Sequence, residues 1–167
     1  TRGDTVAELV YVRGDIRTAK TWSQVLPEID YVFHFAAQTS AYVADQDPIT
    51  DLEANVAPVV QLLETCRRQD LRPKIVFSGS LTQSGLTTQL PVGESVQDHP
   101  IIVYDIQKIL AEKYFYFYAA KAQITTVNLR LHNVYGTGVR VGSGDRGVLN
   151  QMIRNAVNGK TLKVYGE

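Results

Sequence analysis

The sequence is poor in cysteine, methionine and tryptophan, with one of each among 167 residues. With Cys66 alone, an intrachain disulfide is impossible and a multi-cysteine metal site is excluded. Neither charge sign is in excess: 17 Lys and Arg balance 17 Asp and Glu, for a formal net charge of zero. Such a chain has no general electrostatic pull toward nucleic acid or an anionic membrane. No run approaches the roughly 20 apolar residues that a membrane span needs. Residues 1–4, Thr-Arg-Gly-Asp, offer no initiator Met, basic n-region or apolar h-region, so they do not read as a signal peptide. What remains is ordinary: 44% hydrophobic residues and a length suited to one domain with a real core. The expectation is a reduced, soluble, cytoplasmic α/β protein or a fragment of one.

The hydrophobic pattern alternates between two periods. Residues 8–13 (ELVYVR) read as a strand, followed by a turn at Gly14-Asp15-Ile16. Residues 21–26 make a short helix stopped by Pro27. The continuous run 31–36 (YVFHFA) fits a strand buried on both faces. Asp47-Pro48 starts a helix through about Gln69, which Pro58 either kinks or restarts. Residues 74–77 (KIVF) form a strand ending at Ser78-Gly79-Ser80, and 81–100 a long loop. A helix without Gly or Pro spans 101–121, and a strand spans 124–131. Residues 133–147 hold five glycines, 148–157 form a helix closed at Gly159, and 162–165 begin a strand. This alternation argues for right-handed βαβ units in a Rossmann-like, doubly wound parallel sheet. In such sheets ligands bind beyond the carboxyl ends of the strands.

Tyr104 and Lys108 lie i,i+4 near the start of the strong helix and share a face. An ammonium beside a phenol stabilises the phenolate, making Tyr a plausible acid/base near neutrality. Ser80 follows a strand of the same sheet, where its hydroxyl can bond a substrate oxygen. Tyr-x-x-x-Lys alone is common, and so is a turn serine at a strand end. His34 and His132 lack the partners a metal site needs, so no metal is expected. His34 reads as a packing residue. Residues 142–147 spell G-x-G-x-x-G, but the strand before them is too short and Asp145 opposes a pyrophosphate. The dinucleotide fingerprint is therefore set aside, with a plain loop as the alternative.

These segments, in this order, resemble the extended short-chain dehydrogenase/reductases, the NAD-dependent epimerase/dehydratase family. The matching pieces are Gly14-Asp15-Ile16; His34-Phe35-Ala36-Ala37; Asn55; Phe77-Ser78-Gly79-Ser80 with Gly85; Tyr104-x-x-x-Lys108; Leu129-Arg130-x-x-Asn133-Val134-Tyr135-Gly136; and Gly159 through Leu162-x-Val164-Tyr165-Gly166. The family's opening G-x-x-G-x-x-G turn has no counterpart, so the sequence reads as an internal fragment. On that resemblance, residues 1–136 would be an incomplete NAD(P)-binding Rossmann-like domain and 137–167 the start of a substrate-binding part, with a substrate-side loop at 142–147.

The resemblance implies an NAD-dependent epimerase of a nucleotide-activated sugar, a UDP-sugar foremost, working through a transient keto sugar. NADP is the alternative cofactor. Ser80, Tyr104 and Lys108 would be catalytic. Asp15, Ile16, Phe35, Ala36, Ala37, Gln38, Asn55 and Ser78, with Tyr104 and Lys108, would hold the cofactor. Ser80, Thr82, Asn133, Leu149 and Tyr165 would meet the substrate. The 4,6-dehydratases carry Asp-Glu after the catalytic hydroxyl; here Leu81-Thr82 follows Ser80, which favours an epimerase or a ketoreductase. A non-catalytic NAD(P)-binding sensor or scaffold is the reading from another class. The helices at 47–69 and 101–121 would pair in a homodimer.

Overall fold

The computed structural model describes residues 8–137 and 148–164. Its sheet has three strands in the order β1-β2-β3: β1 (Tyr31–His34), β2 (Lys74–Ser80) and β3 (Thr126–Leu131). Both pairings are parallel, with Phe33 beside Val76 and Phe77 beside Asn128. Around them run α1 (Ala19–Val25), α2 (Ala41–Gln46), α3 (Pro48–Asn55), α4 (Ala57–Arg68), α5 (Val103–Ala122) and α6 (Val148–Val157). Helices between successive parallel strands make this the expected Rossmann-like α/β architecture.

Side-chain alternation on β2 explains how the layers meet. Ile75 and Phe77 are buried under α4 and α5 with Leu62, Leu63, Ala111 and Phe115. Phe77 and Phe115 stack with ring centroids 4.9 Å apart. Trp22 of α1 closes the same core and donates its indole N–H to the Ile16 carbonyl at 2.7 Å. The opposite face carries Phe33, Val127, Leu129 and Leu131, all exposed. The run 31–36 is therefore buried on one face only, because the helices packed on the described sheet lie on one side.

Three other expectations change, one of them the strand expected at 162–165, of which the described residues 162–164 form none. Residues 8–13 form no strand, and Leu9 to Val12 are exposed. A strand needs a hydrogen-bonded neighbour for its backbone, and none lies beside this segment among the described residues. The helix expected over 47–69 is two helices meeting at Val56. Pro58 lacks the N–H needed in a helix interior but fits the first turn of α4, so the helix restarts. The added helix α2 begins at Ser40, whose hydroxyl accepts the Val43 N–H at 3.3 Å. Asp47, in the same way, caps α3 by accepting from Thr50 N–H at 3.1 Å. Among the described residues, no helix is long and apolar enough to cross a membrane.

The longest helix, α5, owes its 20 residues to the absence of internal Gly and Pro, and ends at Gln123 in the left-handed region (φ 54°). It buries polar groups as well as apolar ones: Asp105, Lys108 and Glu112 are each at most 3% exposed. Burying charge in a helix face is unfavourable unless partners are supplied, which makes this face the place to look for function.

Candidate functional site

The carboxyl ends of the three strands open into one cleft of about 890 Å³. Phe35 and Ala37 follow β1, Ser78 to Thr82 end β2, and Leu131 to Asn133 end β3. Tyr104 and Lys108 enter from the first two turns of α5. The cleft thus gathers Phe35, Ala37, Ser78, Ser80, Thr82, Tyr104, Lys108 and Asn133 from the residues expected on sequence.

Ser80 is fixed by the chain that follows it. Its N–H donates to Gln83 Oε1 at 2.8 Å, and its Oγ accepts the Thr82 N–H at 3.4 Å, a reciprocal cap on the 3-10 turn Leu81–Ser84. Gln83 is fully buried and donates onward to Glu112 Oε2 at 3.1 Å. Arg130 then grips Glu112 with two bonds, of 3.1 and 2.8 Å. The turn closes at Gly85 (φ 61°), where a Cβ would stand 2.1 Å from the His99 carbonyl oxygen, so only glycine fits.

Lys108 is 3% exposed, and its ammonium donates to the Ser78 carbonyl oxygen at 2.8 Å. It stands 4.9 Å from the centre of the Phe77 ring and 5.7 Å from that of Tyr104. Burial pulls its pKa down to about 8, against the opposing pull of Asp51. Tyr104 moves the other way: burial, then the negative charges of Asp51 and Asp105, push its phenol up to about 12. Sequence reasoning expected Lys108 to draw the Tyr104 pKa down. Instead the ammonium lies over the ring and bonds a main-chain carbonyl, and burial with the neighbouring carboxylates favours the protonated phenol.

The other expected cofactor residues serve the walls. Asn55 accepts the Gln38 N–H at 2.9 Å and donates to the Gln38 carbonyl at 3.1 Å and to Asp51 Oδ1 at 2.9 Å. Gln38 Nε2 reaches the same Asp51 oxygen at 2.8 Å. These bonds clamp the segment leaving β1 onto α3, so Asn55 and Gln38 shape the cleft from behind. Asp15 is paired with Arg17 at 2.7 Å, which holds its carboxyl down at about 2, and Ile16 packs against the core. Asp15, Ile16 and Ala36 stand away from the cleft lining, as does Leu149 on α6. Tyr165 and residues 142–147 lie outside the described residues.

His34, expected as a packing residue, is 4% exposed and set edge-on to Trp22, with ring centroids 6.0 Å apart. Burial, then the Lys108 charge, pulls its pKa down to about 4 from 6.5. The folded state thus binds fewer protons than the unfolded chain between these values, so stability falls as pH drops through that window. The protein is expected to lose about 3 kcal/mol between pH 7 and pH 4 on this account. Chemical denaturation across that range checks it: His34→Phe should flatten the profile. His132 lines the cleft, its Nδ1 accepting the Asn133 N–H at 2.7 Å.

Sequence reasoning missed Asp51, Gln83, Asp105 and Glu112, which are all buried around this site. The signal available was only their position: Asp51 lies four residues before Asn55, Asp105 directly follows Tyr104 inside the Tyr-Lys pair, and Glu112 lies four residues after Lys108.

The sequence pattern of the NAD dependent epimerase/dehydratase family matches residues 2–167. UDP-glucuronate 4-epimerase 1 of Arabidopsis thaliana is 29% identical over 157 residues, covering 92% of this chain and 36% of its own length. The putative UDP-glucose 4-epimerase of Methanocaldococcus jannaschii is 28% identical, covering 94% of this chain and 52% of its own. Among solved structures, the UDP-N-acetylglucosamine 4-epimerase of Methanobrevibacter ruminantium, in complex with UDP-N-acetylmuramic acid, superposes with a TM-score of 0.85 at 27% identity. It is matched over 93% of this chain and 50% of its own. The Thermus thermophilus UDP-glucose 4-epimerase in complex with NAD gives a TM-score of 0.79 at 26% identity, over 92% and 50%. The chain therefore spans about a third to a half of the length of these relatives. A parallel sheet with Ser80, Tyr104 and Lys108 around one strand-end cleft and a pattern matched almost end to end lead to one conclusion: the chain belongs to the NAD dependent epimerase/dehydratase family.

Proposed function

We propose that this chain carries the catalytic centre of an NAD-dependent epimerase acting on a nucleotide-activated sugar, a UDP-sugar foremost. The observation that carries the reading is the meeting of Ser80, Tyr104 and Lys108 in one cleft at the carboxyl ends of parallel strands. The two 4-epimerases matched among solved structures with UDP-N-acetylmuramic acid and with NAD support it.

The donor set suits the nicotinamide end of the cofactor. One of the three ammonium donors of Lys108 is used on Ser78, which leaves two for ribose hydroxyls. Phe35 and Ala37 offer an apolar wall beside it. NAD, when bound, supplies the hydride acceptor and donor. The chain's own residues handle the oxygen. Tyr104 takes the proton of one sugar hydroxyl as that carbon gives up its hydrogen with the bonding pair, leaving a ketone. Ser80 hydrogen-bonds that oxygen. Once the keto sugar has turned over, Tyr104 returns the proton as hydride comes back to the opposite face, so nothing is consumed. Thr82 and Asn133 border the substrate side. Leu149 and Tyr165 belong to a substrate-binding part beginning at residue 137, and residues 1–136 to the cofactor part.

The same reading makes the protein a homodimer through α3, α4 and α5. Ile106, Leu110 and Phe117 form an exposed apolar stripe along α5, with Ile49 and Leu52 exposed on α3.

The test mixes the full protein with NAD+ and UDP-, dTDP-, GDP- or CDP-hexoses, following nicotinamide absorbance and the sugars by NMR. An epimerised sugar without net NADH is expected. Net NADH or a deoxy-keto product would transfer the assignment to a dehydrogenase or dehydratase. Cofactor binding without turnover of any sugar would overturn it in favour of a sensor.

A further inference from the structure

Beyond the three expected catalytic groups, the cleft contains a chain of hydroxyls ending on a buried carboxylate. Ser80 Oγ lies 2.7 Å from Thr82 Oγ1, and Thr82 Oγ1 donates to Asp105 Oδ1 at 2.5 Å. Asp105 is fully buried, and its second oxygen has no hydrogen-bond partner among the described residues. A buried carboxylate oxygen left unpaired is unfavourable and calls for an explanation beyond packing.

Proton counting settles the direction of the chain. A hydroxyl has one proton and two lone pairs. Thr82 gives its proton to Asp105, so in the Ser80–Thr82 pair Ser80 must be the donor. The Oγ of Ser80 is thereby tied to one rotamer from two sides, by Thr82 Oγ1 and by the Thr82 N–H. Its O–H rotor can still turn about the Cβ–Oγ bond toward another acceptor in the cleft without moving the heavy atom.

We propose that Thr82 and Asp105 are positioning residues: Asp105 fixes the Thr82 proton, so Thr82 accepts the Ser80 proton and keeps Ser80 Oγ in place until that proton turns to the reacting oxygen of the substrate. The proposal rests on the epimerase reading of Ser80. It also gives a reason for an acidic residue directly after the reacting tyrosine. Asp105 sits one position past Tyr104 on α5, which turns its side chain toward the Leu81–Ser84 turn and away from the face shared by Tyr104 and Lys108.

The test compares Thr82→Val, Thr82→Ser, Asp105→Asn and the Val/Asn double variant in the full protein. Thr82 stands at an exposed position, but its hydroxyl is the hydrogen-bond partner of buried Asp105, so Thr82→Val also strands that carboxylate. The Val/Asn double variant removes the charge, and kcat is read at temperatures where each variant is folded. Thr82→Val is expected to lower kcat about tenfold or more while KM stays within about twofold, the size of a lost bond in a charge-assisted chain. Thr82→Ser restores the hydroxyl and should recover wild-type kcat. Asp105→Asn should fall between, and the double variant should be no worse than Thr82→Val alone, because both break one chain. Unchanged kcat in Thr82→Val, equal loss in Thr82→Val and Thr82→Ser, or full additivity in the double variant would overturn the proposal. If the wild type turns over no sugar, the epimerase reading fails, and a neutron structure of deuterated protein judges the chain by itself. Deuterium on Thr82 pointing at Asp105, and on Ser80 pointing at Thr82, supports it; the reverse order refutes it.

Discussion

Tyr104→Phe is expected to lower turnover of the full protein by about 10²- to 10⁴-fold, the usual worth of a positioned proton-transfer group. The substitution removes one oxygen and keeps the ring, so the packing beside Lys108 survives and NAD binding should be retained. Activity near the wild-type level would remove Tyr104 from the mechanism. The pH profile adds a sharper requirement. With the phenol pushed up to about 12 and Lys108 drawn down to about 8, the form with a phenolate and a charged lysine is rare. Its share rises tenfold per pH unit below 8, where Lys108 stays charged, and then levels as each further gain in phenolate is matched by loss of the ammonium. On these values, kcat/KM should therefore climb with unit slope from about pH 6 to 8 and flatten above. A plateau already at pH 6 would mean that bound ligands reset both groups.

The sequence showed the site through spacing. Tyr104 and Lys108 share a face because helical neighbours four apart always do, and Ser80 was placed by the end of an apolar strand. Both are local facts. Asp105 and Gln83 were invisible for the opposite reason. A polar side chain in a helix or turn reads as solvated unless the neighbouring element is known, and here the turn at 81–84 and α5 bury each other's polar groups. The strand expected at 8–13 failed similarly, since its pattern was apolar enough but pairing depends on a neighbour. Pro58 marks a break with two outcomes in the sequence, and in the fold it sits in the first turn of α4, where the helix restarts.

The largest stability effect should come from Arg130→Met. Arg130 meets Glu112 through two nitrogens at 3.1 and 2.8 Å, and Asp98 at 2.7 Å, and the hydrogen bonds to Glu112 and then Asp98 hold its guanidinium charged. Glu112 is 2% exposed, whereas Arg130 is 25% exposed, so the loss falls mainly on the glutamate side. Without Arg130, a buried carboxylate keeps the Gln83 amide and the Tyr116 phenol as side-chain donors but no cation of its own. Breaking such a pair from one side destabilises by about 3 kcal/mol, more than the pair contributes over an apolar replacement. Glu112→Gln with Arg130→Met removes the stranded charge, and the double variant should recover at least about half of that loss in denaturant unfolding. Additive losses would show that Glu112 is not stranded by the single change. The effect also reaches the cleft. Glu112 orients Gln83, and Gln83 accepts the Ser80 N–H, so Arg130→Met should lower kcat at temperatures where the protein is still folded. An arginine on the strand after the catalytic helix thus supports the backbone of Ser80 from below, while Thr82 and Asp105 set its hydroxyl from the side.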